Sequence, residues 1–148
     1  MIYLDSSAIV KLMIAEPESP ALHAVLVGEE APACFTSQLA VTEVMRALHA
    51  KGETTLADGV AAATGNLPVP GQAILTRPAI ENTFVAAGGL RPGSALRSLD
   101  AIHLATAQTA GDALTAVITY DARMADAARA IGLSVWSPDA MPQGGAPA

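Results

Sequence analysis

The sequence predicts an α/β protein whose parallel sheet is covered by helices on both faces. Three observations carry this reading. Five short apolar runs, at residues 2–5, 33–36, 73–76, 116–120 and 134–136, alternate with segments of helical period. The runs are nearly continuous in apolar residues rather than alternating, as strands buried on both faces are. Finally, 51% of the 148 residues are hydrophobic and only 15% are charged, which excludes a disordered chain and a charged coiled coil. A chain of this length is one domain that buries roughly 68–70% of its unfolded surface. Aromatics make up only 3% of it while 32 residues are alanine, so the core must be built from small and branched aliphatics with close backbone approach.

The elements follow in order. Residues 2–5 read as a buried strand ending in an acid, Asp5. Ser6 or Ser7 is placed to cap a helix over 8–14. The run Glu16-Pro17-Glu18-Ser19-Pro20 breaks that helix, and a second spans 21–27 with Leu22, Val25 and Leu26 on one face. After the strand at 33–36, Ser37 is the next cap. Helical period runs over 38–51 through Ala40, Val44, Ala47 and Leu48, and Gly52 stops it. A weaker helix covers 54–63. Pro68-Val69-Pro70-Gly71 reads as a connection, and residues 78–87 as a helix with proline at its first position. Arg91-Pro92-Gly93 is a loop, followed by a helix over 94–109 that is apolar nearly all round. The strand at 116–120 leads into Asp121, which caps a helix carrying Met124, Ala127, Ala128 and Ile131 on one face; Gly132 ends it. The domain is expected to span 1–137, with 138–148 a flexible tail.

The net charge is −6, from 14 acids and 8 bases, which argues against a general nucleic-acid coat with a broad basic surface. Nucleic acid must be met locally or through a metal. Cys34 is the single cysteine, so no internal disulfide forms and a reducing cytoplasm is expected. No stretch approaches the ~18 apolar residues of a membrane span. The opening Met-Ile-Tyr-Leu-Asp lacks a basic region, so it is expected to be the start of the fold and not a signal peptide.

Open parallel sheets bind ligands at the carboxyl ends of their strands, where strand order reverses. Asp5 and Asp121 each follow a strand directly and converge there if those two strands are neighbours. Glu43 lies in the second turn of the helix after the second strand, near the same edge. Asp100 lies in the internal helix, on a face shared with Leu104 and Ala107, an awkward place for a charge. Each acid taken alone also has a structural reading: Asp5 and Asp121 as helix caps, Glu43 paired with Arg46, Asp100 paired with Arg97. Four acids from four elements aimed at one edge are different, because their repulsion needs cancelling. Hard oxygen donors of this kind suit Mg²⁺ or Mn²⁺ and not zinc. Lys11, Arg46, Arg97 and Arg123 lie near the same edge in sequence terms, within reach of phosphates. His103 reads as a buried, hydrogen-bonded structural residue, His23 and His49 as surface residues, and Asp126 as part of a solvated helix face. No Gly-rich phosphate loop is present. A phosphoacceptor receiver domain wants an acid pair after strand one, and haloacid-type phosphatases want Asp-x-Asp; Ser6 and Ser7 stand in those places.

Leu4-Asp5-Ser6-Ser7-Ala8, Thr42-Glu43, Leu96-Arg97-Ser98-Leu99-Asp100-Ala101-Ile102-His103-Leu104-Ala105 and Thr119-Tyr120-Asp121 occur in this order. Together they resemble the PIN-domain ribonucleases, specifically the VapC-type toxins of bacterial toxin–antitoxin pairs, over residues 2 to about 137. The resemblance implies a three-layer α/β/α sandwich with a five-stranded parallel sheet. It implies Mg²⁺- or Mn²⁺-dependent hydrolysis of RNA phosphodiesters, leaving 5′-phosphate and 3′-hydroxyl ends. It makes Asp5, Glu43, Asp100 and Asp121 the acidic quartet, Ser7 and Thr119 hydroxyls beside the metal, and Arg97 a basic position near Asp100. It further implies a cognate antitoxin protein as partner and a homodimer. The competing reading is a non-catalytic PIN-like interaction domain that only binds an antitoxin-like partner.

Overall fold

The computed structural model of the chain describes residues 1–28, 30–90, 93 and 96–139. Its elements in order are β1 (Ile2–Leu4), α1 (Ser6–Met13), α2 (Ser19–Leu26), β2 (Cys34–Ser37), α3 (Gln38–Ala50), α4 (Thr54–Ala62), β3 (Asn66–Val69), β4 (Gln72–Arg77), α5 (Glu81–Gly89), α6 (Ser98–Gln108), a 3₁₀ turn (Gly111–Ala113), β5 (Ala116–Ile118), α7 (Ala122–Ala130) and β6 (Val135–Trp136).

The strands form one sheet in the order β3-β4-β2-β1-β5-β6, parallel throughout except where β3 pairs antiparallel with β4. The chain builds outward from β1 to β2 and β4, then crosses to the other side for β5 and β6. Strand order therefore reverses between β1 and β5, which pair directly with Ile2 opposite Ala116 and Leu4 opposite Ile118. A crevice at the carboxyl ends of these two strands is where such sheets bind ligands.

Side chains alternate across the sheet, and each face has its own helices. Ile2, Leu4, Cys34, Ile74 and Ile118 meet Ala8, Ile9, Leu12, Leu22, Leu26, Ala40, Val44 and Leu48 of α1–α3, with α4 closing the layer through Ala57 and Val60. Tyr3, Phe35 and Val117 point the other way, onto Leu104 and Ala107 of α6 and Met124, Ala127 and Ala128 of α7. Helix α5 packs on α6 through Ala87, Ala101 and Ala105, where alanines let the backbones approach. The result is the expected three-layer α/β/α sandwich.

The expected five-stranded, wholly parallel sheet is corrected to six strands with one antiparallel edge. Residues 66–69, which overlap the connection expected at 68–71, form β3. Pro68 looks like a breaker, but β3 is an edge strand that pairs only with β4, and proline is tolerated at an edge. Leu67 and Val69 alternate inward from it. The hairpin turn needs Gly71, whose φ is +75°; a Cβ there would also lie 2.6 Å from Val27 Cγ1.

Other boundaries move for local reasons. Helix α1 starts at Ser6, so neither Ser6 nor Ser7 caps it; Asp5 holds the N-cap position and makes no side-chain cap bond. Ser37 does cap α3, accepting from Leu39 N at 3.2 Å. Helix α5 starts at Glu81, so Pro78 does not open it. Helix α6 starts at Ser98 with Arg97 at its N-cap; Ser94 and Ala95, where an earlier start was expected, lie outside the described residues. Most of the loop at 91–93 and nearly all of the expected tail, 140–148, also lie outside them. Of the remaining tail, the Pro138 carbonyl accepts a 2.7 Å bond from the Tyr120 hydroxyl.

Candidate active site

The carboxyl edge between β1 and β5 is held together by Asp5. Its backbone N–H donates to Ile118 O at 3.0 Å, which continues the β1–β5 ladder one step past the strand. The side chain, 5% exposed, sits where the chain turns from β1 into α1. The hydroxyls of Ser7 and Thr119 both donate to Asp5 Oδ2, at 2.8 and 2.9 Å. Each hydroxyl in turn accepts a backbone N–H: Ser7 from Tyr120 at 3.0 Å, Thr119 from Asp121 at 3.1 Å. Two fixed donors thus saturate Oδ2. The nearest donor to Oδ1 is the Ser6 hydroxyl at 3.5 Å, so this oxygen is left for another partner.

Asp121 follows Thr119 and caps α7, its Oδ1 accepting from Arg123 N at 2.8 Å and Met124 N at 3.1 Å. The cap reading of Asp121 is therefore correct for one oxygen, and Oδ2 remains. Asp100 enters from the first turn of α6. Its Oδ2 is buried and has no hydrogen-bond partner among the described residues. The nearest cation, Arg97 Nε, stands 4.0 Å away, outside hydrogen-bond range. Burial pushes the Asp100 carboxyl above its ordinary value, and the charges of Asp121 and then Asp5 push it further, against the pull of Arg97. These couplings place Asp100, Asp121 and Asp5 in one electrostatic neighbourhood.

Glu43 reaches the edge from α3, on the opposite helical layer. It does not pair with Arg46. Its Oε2 accepts from His103 Nε2 at 2.8 Å. Burial alone would raise the Glu43 carboxyl, but His103 and the Ser6 hydroxyl outweigh it and hold it below the ordinary value. Burial likewise pulls His103 down, and the Glu43 bond and charge, with Asp5 and Asp100 behind them, hold it above its usual value. Ligand-capable atoms of Asp5, Glu43 and His103 all lie within 4.8 Å of one another.

Among the described residues the structure brings Asp5, Glu43, Ser7 and Thr119 together here, whereas Asp100 and Asp121 neighbour Asp5 but stand outside the group of ligand atoms lying within 4.8 Å of one another. His103 is buried and hydrogen-bonded as expected, yet it touches the site through Glu43. Tyr3, which bonds the other imidazole nitrogen, was missed. Two signals point to them: His103 lies one turn after Asp100, and a tyrosine in a strand buried on both faces needs a partner for its hydroxyl. Of the bases, Arg46, Arg97 and Arg123 are exposed. Lys11 is instead engaged, at 2.6 Å from Glu16 and 2.7 Å from Glu18, and lies over the Tyr120 ring. It borders a cavity of about 360 Å³ that reaches Ser6, Ser7 and Glu43. Asp126 is exposed and pairs with Arg129, and both line a cavity that also reaches Thr119 and Asp121.

The residues fit a divalent cation. A buried carboxylate oxygen without a donor, in a cluster that raises its own pKa, is stabilised by a hard cation and by little else this chain offers.

An open parallel sheet with an acidic crevice at its switch point and hydroxyls bracing one carboxylate defines the class, and the chain belongs to the PIN-domain family, whose model matches residues 2–130. It is 46% identical to Ribonuclease VapC46 of Mycobacterium tuberculosis over 138 residues, 93% of this chain and 97% of that protein. It is 43% identical to Ribonuclease VapC35 of the same species over 140 residues, again 93% and 97% of the two chains. The crystal structure of M. tuberculosis VapC20, a Sarcin-Ricin loop cleaving toxin, superposes with a TM-score of 0.65 over 90% of this chain and 96% of that one; at 16% identity it shares the fold.

Proposed function

We propose that this chain is a metal-dependent endoribonuclease acting as the toxin of a toxin–antitoxin pair. Asp5, Glu43, Asp100 and Asp121 would hold Mg²⁺ or Mn²⁺, and residues 1–137 make up the nuclease domain. The observation that carries this reading is the unpartnered, buried Asp100 Oδ2 in the field of the Asp121 and Asp5 carboxylates at the switch point. High identity to proteins named ribonucleases over nearly the full chain supports it.

A divalent ion bound there supplies positive charge to the scissile phosphate and acidifies water at neutral pH. The chain's own residues do the rest. Ser7 and Thr119 fix Asp5 in one rotamer, so its free Oδ1 needs no reorganisation on loading. Asp121 keeps one oxygen on the α7 N-terminus and offers the other. Arg97, exposed at the start of α6, would contact a phosphate next to the one cleaved, and the exposed Arg46 and Arg123 would add to that contact. With a net charge of −6, RNA is held by these local contacts and the metal rather than by a basic face.

The partners follow from the same reading: RNA as substrate, an antitoxin protein that masks the acidic edge, and a second copy of the chain in a homodimer. Among the described residues no helix is long and apolar enough to cross a membrane, and the protein acts in the cytoplasm. The test is cleavage of RNA by the purified, partner-free chain. Activity with Mg²⁺ or Mn²⁺ that is abolished by EDTA is expected, together with growth arrest on expressing the chain alone and relief by its upstream neighbour. Undiminished cleavage in excess EDTA contradicts the metal assignment; no cleavage with either metal favours the non-catalytic interaction domain.

A further inference from the structure

The phenol of Tyr3 and the imidazole of His103 form a head-to-tail relay that ends on Glu43. Ser37 N–H donates to the Tyr3 hydroxyl oxygen at 3.3 Å. The same hydroxyl bonds His103 Nδ1, and with the phenol hydrogen assigned to that bond Nδ1 is the acceptor, consistent with a Glu43 carboxylate that can only accept from Nε2. An imidazole that accepts at Nδ1 carries its hydrogen on Nε2, which donates to Glu43 Oε2 at 2.8 Å. Both rings are immobilised. Tyr3 is fully buried with Phe35 edge-on at 5.3 Å, and His103 is 1% exposed. The relay starts at the β2–α3 junction, crosses the sheet's carboxyl edge through α6, and returns to α3 at Glu43, so it ties the two helical layers together above the crevice.

We infer that Tyr3 and His103 are positioning residues, which hold the Glu43 carboxylate with Oε2 bound and Oε1 presented beside Asp5. This rests on the metal-site reading above and deepens it. The polarity of the relay also decides His103's own part. Although its ring nitrogen lies within 4.8 Å of the Asp5 and Glu43 oxygens, Nε2 is a donor and not a ligand. The cation therefore meets oxygen alone, which favours Mg²⁺ or Mn²⁺ over softer ions. Outer partners that orient a ligand change metal affinity by about 10–100-fold when removed.

The experiment is Mn²⁺ calorimetry on the full chain, paired with RNA-cleavage kinetics. Tyr3→Phe keeps the ring and its packing while deleting the donor. It should weaken Mn²⁺ binding about 10-fold or more and lower kcat, with KM for RNA unchanged. His103→Leu should do the same, and His103→Gln, which keeps an N–H near the Nε2 position, should recover most of the loss. In a Glu43→Gln background Tyr3→Phe should change nothing further. Wild-type Mn²⁺ affinity in folded Tyr3→Phe overturns the relay, as does an undiminished Tyr3→Phe effect when Glu43 is already replaced. If His103→Leu does not fold, Tyr3→Phe and His103→Gln decide alone. Asp5→Asn separates the two levels. Loss of Mn²⁺ binding there, with Tyr3→Phe behaving as wild type, removes only the relay; retained binding and cleavage in Asp5→Asn removes the metal site itself.

Discussion

Two acidic clusters lie close together on this molecule and behave in opposite ways. Glu16 and Glu18, after α1, enclose Lys11 at 2.6 and 2.7 Å, and Lys51 adds a third contact to Glu16 at 2.8 Å. Bonds to Lys11 and then Lys51 hold the Glu16 carboxyl below its ordinary value. Burial pulls the Lys11 ammonium down, but its bonds to Glu16 and Glu18 outweigh that and raise it. At the sheet edge, Asp100 has a buried oxygen with no donor among the described residues and a carboxyl held above its ordinary value. The residue types are the same. What differs is whether the chain supplies its own cations. Where it does, acids stabilise the fold; where it withholds them at a switch point, the fold carries a charge deficit that an external cation can relieve.

The comparison breaks most sharply on activity. On the proposed metal-site reading Asp5→Asn should lower RNA cleavage by orders of magnitude, since it would remove a ligand from a site whose charge stabilisation amounts to several kcal/mol. Circular dichroism should show the fold intact. Asp126→Ala, which removes an exposed acid already paired with Arg129, should cleave at the wild-type rate.

Next in size is the response of stability to metal. Saturating Mn²⁺ should raise the unfolding free energy by about 2.7 kcal/mol at a hundred times Kd. Glu16→Gln should keep that increment, because its cluster is already neutralised from within. Loss of the increment in Glu16→Gln would mean that the two clusters act as one.

A smaller effect concerns acid. The folded Glu16 carboxyl is depressed, so the folded state releases its proton more readily than the unfolded one. Its stabilisation is present above the ordinary carboxyl value and disappears as pH falls through the folded value. Each partly exposed pair is worth about 0.2–1 kcal/mol. Glu16→Gln should therefore lower the melting temperature at neutral pH by a few degrees at most, with the difference vanishing in acid, measured by a thermal series over pH. Smallest of all, Asp126→Ala should shift stability by no more than about 0.5 kcal/mol.

How much of this was legible in the sequence follows the physics. Strand and helix alternation reports a buried parallel sheet directly, and an acid immediately after a strand reports its carboxyl edge, so Asp5, Asp121 and the β1–β5 crevice were readable. Ser37 was readable as a cap because its side chain acts locally. Other features depend on partners distant in sequence. Ser7 and Thr119 are separated by 112 positions yet share one oxygen of Asp5, and composition alone does not pair them; the family resemblance did. Pro68 carried a local breaker signal that was overruled because β3 is an edge. Ser6 and Ser7 looked like caps, but Asp5 takes that position and turns its carboxylate elsewhere. Tyr3 and His103, 100 positions apart, meet only because Tyr3 points to the face of the sheet that α6 covers.

What separates the sheet edge from a structural cluster is the Asp100 carboxyl, which the described residues leave without a partner. The direct measurement is melting of wild type and Asp100→Asn over pH, with and without Mn²⁺. Because the folded Asp100 carboxyl is raised, the folded state keeps a proton that the unfolded state has released. Apo stability should therefore fall as pH rises through the window above the ordinary carboxyl value. Asp100→Asn should be the more stable apo protein at neutral pH, should lack that fall, and should lose most of the Mn²⁺-induced rise. If Asp100→Asn is less stable at every pH and wild type is indifferent to Mn²⁺, the cluster is structural and the account is contradicted.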